Sequence, residues 1–257
     1  MRPAATLNPR KLTPDDLDRG LKGRLLIITG AGLSADSGLQ TFRGEGGYWR
    51  NLDPTKLATP EAFAANPQLV WEWYNWRRAQ ARSAQPNAAH LALAQLVSSA
   101  REALLITQNV DDLHERAQTD VNRMVHVHGD LFLNTCISCN YRDRAPLTEL
   151  PPPCPKCDDG TLRPGVVWFG ETIDQAVFQR IDHFIAAGDC DLVLVVGTTA
   201  VFQYIVNWAI AARGKTGLMV EVNPEETVLS SVADVLYRRR AAEVLPELIR
   251  SHAHRIS

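Results

Sequence analysis

The run Asp191-Leu-Val-Leu-Val-Val196 is almost wholly apolar and does not alternate with polar residues. A strand with one wet face would alternate, so this one reads as a central parallel strand covered on both faces. It ends in Gly197-Thr-Thr199. Other short apolar runs read as its companions: Arg24 to Thr29, Ala103 to Thr107, Val125 to Val127, Gly217 to Asn223 and the shorter Val235 to Arg238. Helical patterns lie between them, over 60–82, 87–101, 202–213 and from Ala242 to His252. Thr13-Pro14 reads as the cap and first position of a short leading helix. Strands alternating with helices predict an α/β fold, a doubly wound parallel sheet of the Rossmann-like kind.

Residues 131–165 break the pattern. Cysteines, prolines and charges replace the apolar runs there, as in a small module whose core is a metal. Cys136-x-x-Cys139 and Cys154-x-x-Cys157 can each span one edge of a thiolate tetrahedron, with zinc about 2.3 Å from each sulfur. Sulfur then fills every coordination position, so the expected ion is one structural zinc; iron–sulfur ligation and a redox-active dithiol are the alternatives. Cys190 reads as a buried small hydrophobe. The expected organisation is a lead-in over 1–20, a Rossmann-like nucleotide-binding domain over 21–130 and 166–257 with a helical insert at about 44–85, and an inserted zinc-ribbon module at 131–165.

The formal net charge of -2 over 257 residues argues against a non-specific grip on nucleic acid or acidic lipid. The first 20 residues have no apolar stretch behind their basic ones, and Leu25 to Thr29 is too short to cross a bilayer, so a cytoplasmic protein without membrane or nucleic-acid partners is expected.

The strand ending at Thr29 opens into Gly30-Ala31-Gly32, the start of a nucleotide-binding strand–turn–helix unit. Glycines there let the backbone approach a pyrophosphate, and Ser34 with the N–H groups of the next helix can bind its oxygens. The spacing is not the G-x-G-x-x-G fingerprint of hydride-transferring dehydrogenases. Taken in order, GAGLSADSGLQTFRG, TQNVDDLH, His128-Gly129, the four cysteines, VVWFGE, GTT and EVN resemble the sirtuin family of NAD-dependent protein deacylases, over about residues 24–250.

That resemblance implies roles. Gly30, Ala31, Gly32 and Ser34 would line the NAD phosphates, and Phe42 and Arg43 would sit on a mobile loop over the nicotinamide. Gln108, Asn109 and Asp111 would hold the nicotinamide ribose and amide, with Asn109 and Asp111 also serving the chemistry. Gly197, Thr198 and Thr199 would face the phosphates and adenosine, Asn223 the adenosine ribose and Ala242 the adenine edge. Val167 and Phe169 would wall the acyl-lysine tunnel, and the partner, an acylated peptide, would lie as an extended strand between VVWFGE and the loop after GTT. His128 would be the base. His126, alternate on the same strand, faces the same way, but His128 stands at the C-terminal end, where such sheets put their ligands. His114 reads as a structural hydrogen-bonding residue. The implied reaction attacks the nicotinamide ribose with the acyl carbonyl oxygen, yielding nicotinamide, O-acyl-ADP-ribose and free lysine. A neutral imidazole, with an ordinary pKa near 6.5, suits the proton transfer. A monomer is expected.

Tyr74 and Arg77 lie three apart, on one helical face, with Ala58 16 residues before Tyr74. In the sirtuin subgroup that favours succinyl- and malonyl-lysine, a Tyr-x-x-Arg pair grips the distal carboxylate and an alanine keeps the pocket wide. The resemblance thus implies removal of succinyl and malonyl as well as acetyl groups. The chain departs from the family pattern at Gln40, at Thr199 and in AVFQYIV, where relatives carry a proline–alanine pair near Tyr204-Ile205. Mono-ADP-ribosyl transfer and non-enzymatic sensing of NAD or ADP-ribose are the alternative functions.

Overall fold

The computed structural model describes residues 11–41 and 52–256. In chain order its strands are β1 (Arg24–Thr29), β2 (Glu102–Thr107), β3 (Met124–His126), β4 (Gly129–Cys136), β5 (Arg142–Asp143), β6 (Leu162–Val166), β7 (Leu192–Val196), β8 (Leu218–Val222) and β9 (Val235–Tyr237). Six of them form one parallel sheet in the order β3-β2-β1-β7-β8-β9. Counting the parallel strands alone, this is the 3-2-1-4-5-6 order of dinucleotide-binding sheets, which reverses direction between its first and fourth strands.

β1 and β7 are buried along their whole length, which explains why their sequences do not alternate. Leu25, Ile27, Leu105 and Leu194 share one core with Leu17, Leu93, Leu96 and Val244 of three flanking helices, Pro14–Lys22, Ala88–Ser99 and Ala241–Ile256. Leu26, Ile28, Val193 and Val195 point the other way, to Ile181, Ile205 and Trp208 of the Gln175–Ala186 and Gln203–Arg213 helices.

Local chemistry sets the helix ends. Thr13 Oγ1 accepts from the Asp16 N–H at 3.2 Å while Asp16 accepts from the Thr13 N–H at 3.0 Å, a reciprocal cap with Pro14 at the first position. The pattern read as one helix over 60–82 is two, Pro60–Ala65 and Pro67–Ser83. Asn66 stops the first and caps the second, its Oδ1 accepting from the Leu69 N–H at 3.0 Å, and Pro67 cannot continue a helix but can begin one.

A second sheet, β5-β4-β6, is antiparallel and carries Cys136. The Pro67–Ser83 helix is bound to it by apolar packing and hydrogen bonds. Trp71, Trp73 and Tyr74 are buried in one cluster with Leu131, Leu162, Val166 and Trp168. Trp71 Nε1 donates to the Leu162 carbonyl at 2.8 Å, and buried Arg78 donates to the Leu131 carbonyl at 2.7 Å. Among the described residues no helix is long and apolar enough to cross a membrane.

Candidate active site

The C-terminal ends of β1 and β7, where the strand order reverses, open into a cleft of about 890 Å³, a size typical of ligand sites. The turn after β1 brings Gly30, Ala31, Gly32 and Ser34 to its wall, and the turn after β7 brings Gly197, Thr198 and Thr199. Gln108, Asn109 and Asp111 come from the end of β2, His128 from just beyond β3, and Asn223 from the end of β8. Ala58, Tyr74, Arg77, Val167 and Phe169 complete the opposite side. Phe42 and Arg43 lie outside the described residues. Ala242 packs against the core, and Arg240 and Ala241 line the cleft in its place.

The two glycine turns hold each other. Gly32 N–H donates to the Gly197 carbonyl at 2.8 Å, and Gly30 N–H to the Val196 carbonyl at 3.1 Å. A Cβ on Gly32 would lie 2.8 Å from that Gly197 oxygen, and Gly197 has φ +60°, a conformation that favours glycine. These glycines therefore serve backbone-to-backbone packing as well as any ligand. Ser34 is likewise committed: its hydroxyl donates to Asp111 Oδ2 at 3.1 Å and accepts from Asn109 Nδ2 at 3.0 Å. Asn109 Nδ2 also donates to the Gly30 carbonyl at 3.1 Å. Gln108 Nε2 donates to Thr198 Oγ1 at 2.8 Å, and Asn223 Nδ2 to the Thr198 carbonyl at 2.9 Å. Four strand ends are thus tied into one polar network. Burial raises the Asp111 carboxyl above its ordinary range, against hydrogen bonds from Leu113 N–H and Ser34.

His128 projects from the turn that joins the two sheets. Gly129 has φ +79°, and a Cβ there would collide with the Gly165 carbonyl, so the sharp exit after His128 depends on glycine. His128 Nδ1 lies 3.0 Å from the Gln108 carbonyl, and its Nε2 lies 2.6 Å from the Tyr204 hydroxyl. Burial lowers its pKa, against the opposing Gln108 bond, so the ring is neutral at physiological pH. His126 instead faces Glu115, with Nε2 2.9 Å from Oε1 and Nδ1 3.0 Å from the Asn109 carbonyl. It positions Asn109. His114 is buried, with Nε2 3.2 Å from Thr29 Oγ1.

On the far wall Tyr74 is 1% exposed, and its hydroxyl oxygen accepts from Trp168 Nε1 at 2.9 Å. That leaves the phenol proton for another acceptor. Burial pushes the Tyr74 pKa up to about 12, so the hydroxyl stays protonated. The Arg77 guanidinium lies 5.3 Å from the Trp73 ring centroid. The Ala58 carbonyl accepts from the Phe169 N–H at 2.9 Å, and the His128 carbonyl from the Val167 N–H at 2.8 Å.

The four cysteines converge away from this cleft, their sulfurs all within 4.8 Å of one another. The Cys136–Cys157 and Cys139–Cys154 sulfur pairs are each 3.7 Å apart. A tetrahedron with arms of about 2.3 Å has edges of about 3.8 Å, so the set fits zinc. Ser138 N–H and Lys156 N–H donate to Cys136 and Cys154 Sγ at 3.3 and 3.4 Å, the outer contacts that favour thiolates.

Some of the site was not named from the sequence. Tyr204, Phe202, Glu225, Trp76 and Gln80 all line the cleft. The signal for Tyr204 was its place in AVFQYIV, directly after the glycine turn, but only the fold shows which way the ring points.

The Sir2 family model matches residues 30–203. NAD-dependent protein deacylase 1 of Archaeoglobus fulgidus is 44% identical over 228 residues, which cover 88% of this chain and 91% of that protein. NAD-dependent protein deacylase 1 of Pseudomonas aeruginosa is also 44% identical, over 238 residues, 88% of this chain and 93% of that one. The crystal structure of a Sir2 homologue in complex with NAD superposes with a TM-score of 0.87 at 40% identity, covering 97% of both chains. A Sir2 structure with a p53 peptide and NAD+ superposes at 0.80 with 25% identity, over 95% of this chain and 97% of that one. With the sheet order, the histidine at the strand end and the four-sulfur cluster already in place, these likenesses agree on one assignment: the chain belongs to the Sir2 family.

Proposed function

We propose that this protein is an NAD-dependent protein-lysine deacylase whose pocket takes acid-bearing acyl groups, succinyl and malonyl, as well as acetyl. The observation that carries the reading is the convergence on one cleft of the paired glycine turns, His128 and the Tyr74–Arg77 pair. Relatives bearing the deacylase name and family structures holding NAD or peptide support it.

NAD supplies an electrophilic ribose carbon whose nicotinamide can leave. The chain's residues do the rest. The Gly30–Ser34 and Gly197–Thr199 turns bind the phosphates, and Asn223 with Arg240 and Ala241 receives the adenosine. Asn109 and Asp111 orient the nicotinamide end, and the Asp111 carboxylate stabilises positive charge in a site that excludes water. His128 Nε2 takes a proton from a ribose hydroxyl, which its neutral state permits. The acylated peptide lies as an extended strand beside Val167–Phe169, and Arg77 and Tyr74 receive the distal carboxylate as donors. Zinc held by Cys136, Cys139, Cys154 and Cys157 would anchor β4–β6.

The test is a panel of acetyl-, malonyl- and succinyl-peptides with NAD. His128→Ala is expected to lower turnover by roughly 10²–10⁴ while NAD still binds. Arg77→Ala is expected to raise KM for succinyl peptide about 30-fold, the loss of a charged contact of about 2 kcal/mol, and to change acetyl peptide little. Equal effects on the two peptides would remove the carboxylate role. Release of nicotinamide with the acyl-lysine left intact would replace deacylation by ADP-ribosyl transfer.

A further inference from the structure

We infer that the phenol of Tyr204 is the resting partner of the base: its hydroxyl occupies the Nε2 lone pair of His128 until a sugar hydroxyl displaces it. The inference rests on the reading of His128 as base. The Gln108 carbonyl, 3.0 Å from Nδ1, can only accept, so Nδ1 keeps the proton of the neutral ring and Nε2 is the bare acceptor. The Tyr204 hydroxyl lies 2.6 Å from that nitrogen and donates to it. Burial pushes the phenol up to about 12, so it has a proton to donate. A neutral imidazole has one lone pair at Nε2 and cannot accept from phenol and ribose together.

Its neighbours fix the ring. Tyr204 lies in the first turn of the Gln203–Arg213 helix and stacks on Phe202 at 5.4 Å between centroids and 13° between planes. Trp208 and Phe178 pack on it at 5.2 and 6.2 Å. Phe202 also meets His128 edge-on at 5.4 Å. Tyr204 is half-buried and lines the cleft, so the bond lies where the sugar must arrive. This is the segment where the sequence departs from the family's proline–alanine pair. The phenol is a positioning residue with two effects: it stabilises the neutral ring, and it competes with the sugar hydroxyl for one lone pair.

Tyr204→Phe removes one oxygen and keeps the stack. The sugar hydroxyl then meets an unoccupied nitrogen, so kcat/KM is expected to rise roughly three- to tenfold, with the gain carried by KM. The acid limb of kcat/KM should move up by about half to one pH unit, because the neutral ring loses a hydrogen bond. A tenfold or greater fall in kcat would overturn the inference, since the hydroxyl would then act in the chemical step. An unmoved kcat/KM and acid limb would overturn it too, leaving Tyr204 a packing residue. Nitrogen-15 spectra of histidine-labelled wild type give a reading that needs no variant: Nδ1 protonated and Nε2 bare but hydrogen-bonded is expected, and the opposite tautomer would refute it. Turnover surviving in His128→Ala strikes the base reading itself, whereas a silent Tyr204→Phe beside a dead His128→Ala strikes only the pairing.

Discussion

The base role proposed for His128 requires an unprotonated ring, and burial lowers its pKa from the ordinary value near 6.5. A lowered pKa means that the ring takes up a proton only at more acid pH. Activity at pH 6.5 should therefore stay above half its plateau, with the acid limb of the pH–rate profile lying below that value. A limb centred above it would show that the site stabilises the protonated ring, contrary to its burial. His128 could be named from the sequence through the family resemblance and its place at a strand end, and the Tyr74–Arg77 pair only because the resemblance gives a Tyr-x-x-Arg spacing a role. Tyr204 could not, since nothing in AVFQYIV says which ring of the segment turns toward the base. Ser34 was readable as a polar group at a glycine turn, but its commitment to Asp111 and Asn109 depends on β1 and β2 being neighbours.

The parallel strands were legible because covered strands leave unbroken apolar runs, as in β7 and over Leu25–Ile28 of β1. The Gln175–Ala186 helix was not foreseen, although Val177, Phe178, Ile181, Phe184 and Ile185 recur at helical spacing and pack on the core. The antiparallel β5-β4-β6 sheet was hidden because its register is irregular between Gly129 and Asn134 and its apolar partners come from the sequence-distant Pro67–Ser83 helix. Cysteine spacing revealed the ligands but not the strands around them. If zinc secures these strands, chelation or Cys136→Ser should unfold β4–β6, lower Tm and abolish turnover, because the Val167–Phe169 wall continues directly from β6. Cys190→Ala, at a buried cysteine outside the cluster, should leave the metal content unchanged. Metal analysis with thermal unfolding checks both; a zinc-free protein of unchanged Tm would refute the structural role.

Across the whole molecule, the histidines decide how acid affects stability. His90 and His114 are buried with ring centroids 5.1 Å apart, and burial lowers both, His90 to about 4 and His114 well below its usual value. The unfolded chain protonates them near 6.5 and the folded chain does not, so stability falls as pH drops below that point. Each such group contributes a slope of about 1.4 kcal/mol per pH unit. His126 runs the other way: burial alone would lower it, but the Glu115 carboxylate outweighs burial and raises it. Its contribution is complete below the unfolded value and is lost as pH rises through the raised one. Tm should therefore fall on acidification from about pH 6.5 to 5, and a flat calorimetric profile over that span would contradict the burial of His90 and His114. The same connectedness limits how such an enzyme can change its diet. The carbonyl of His128 is bonded to Val167, and Phe169 to Ala58, so the proposed proton acceptor, the proposed tunnel lining and the segment at Ala58 are laced together through main-chain bonds. Lengthening or shortening that loop to admit a bulkier cargo would also drag the imidazole out of line. New tastes should then arise by swapping side chains at Ala58, Tyr74 or Phe169, and libraries with insertions between 166 and 170 should return mostly dead clones.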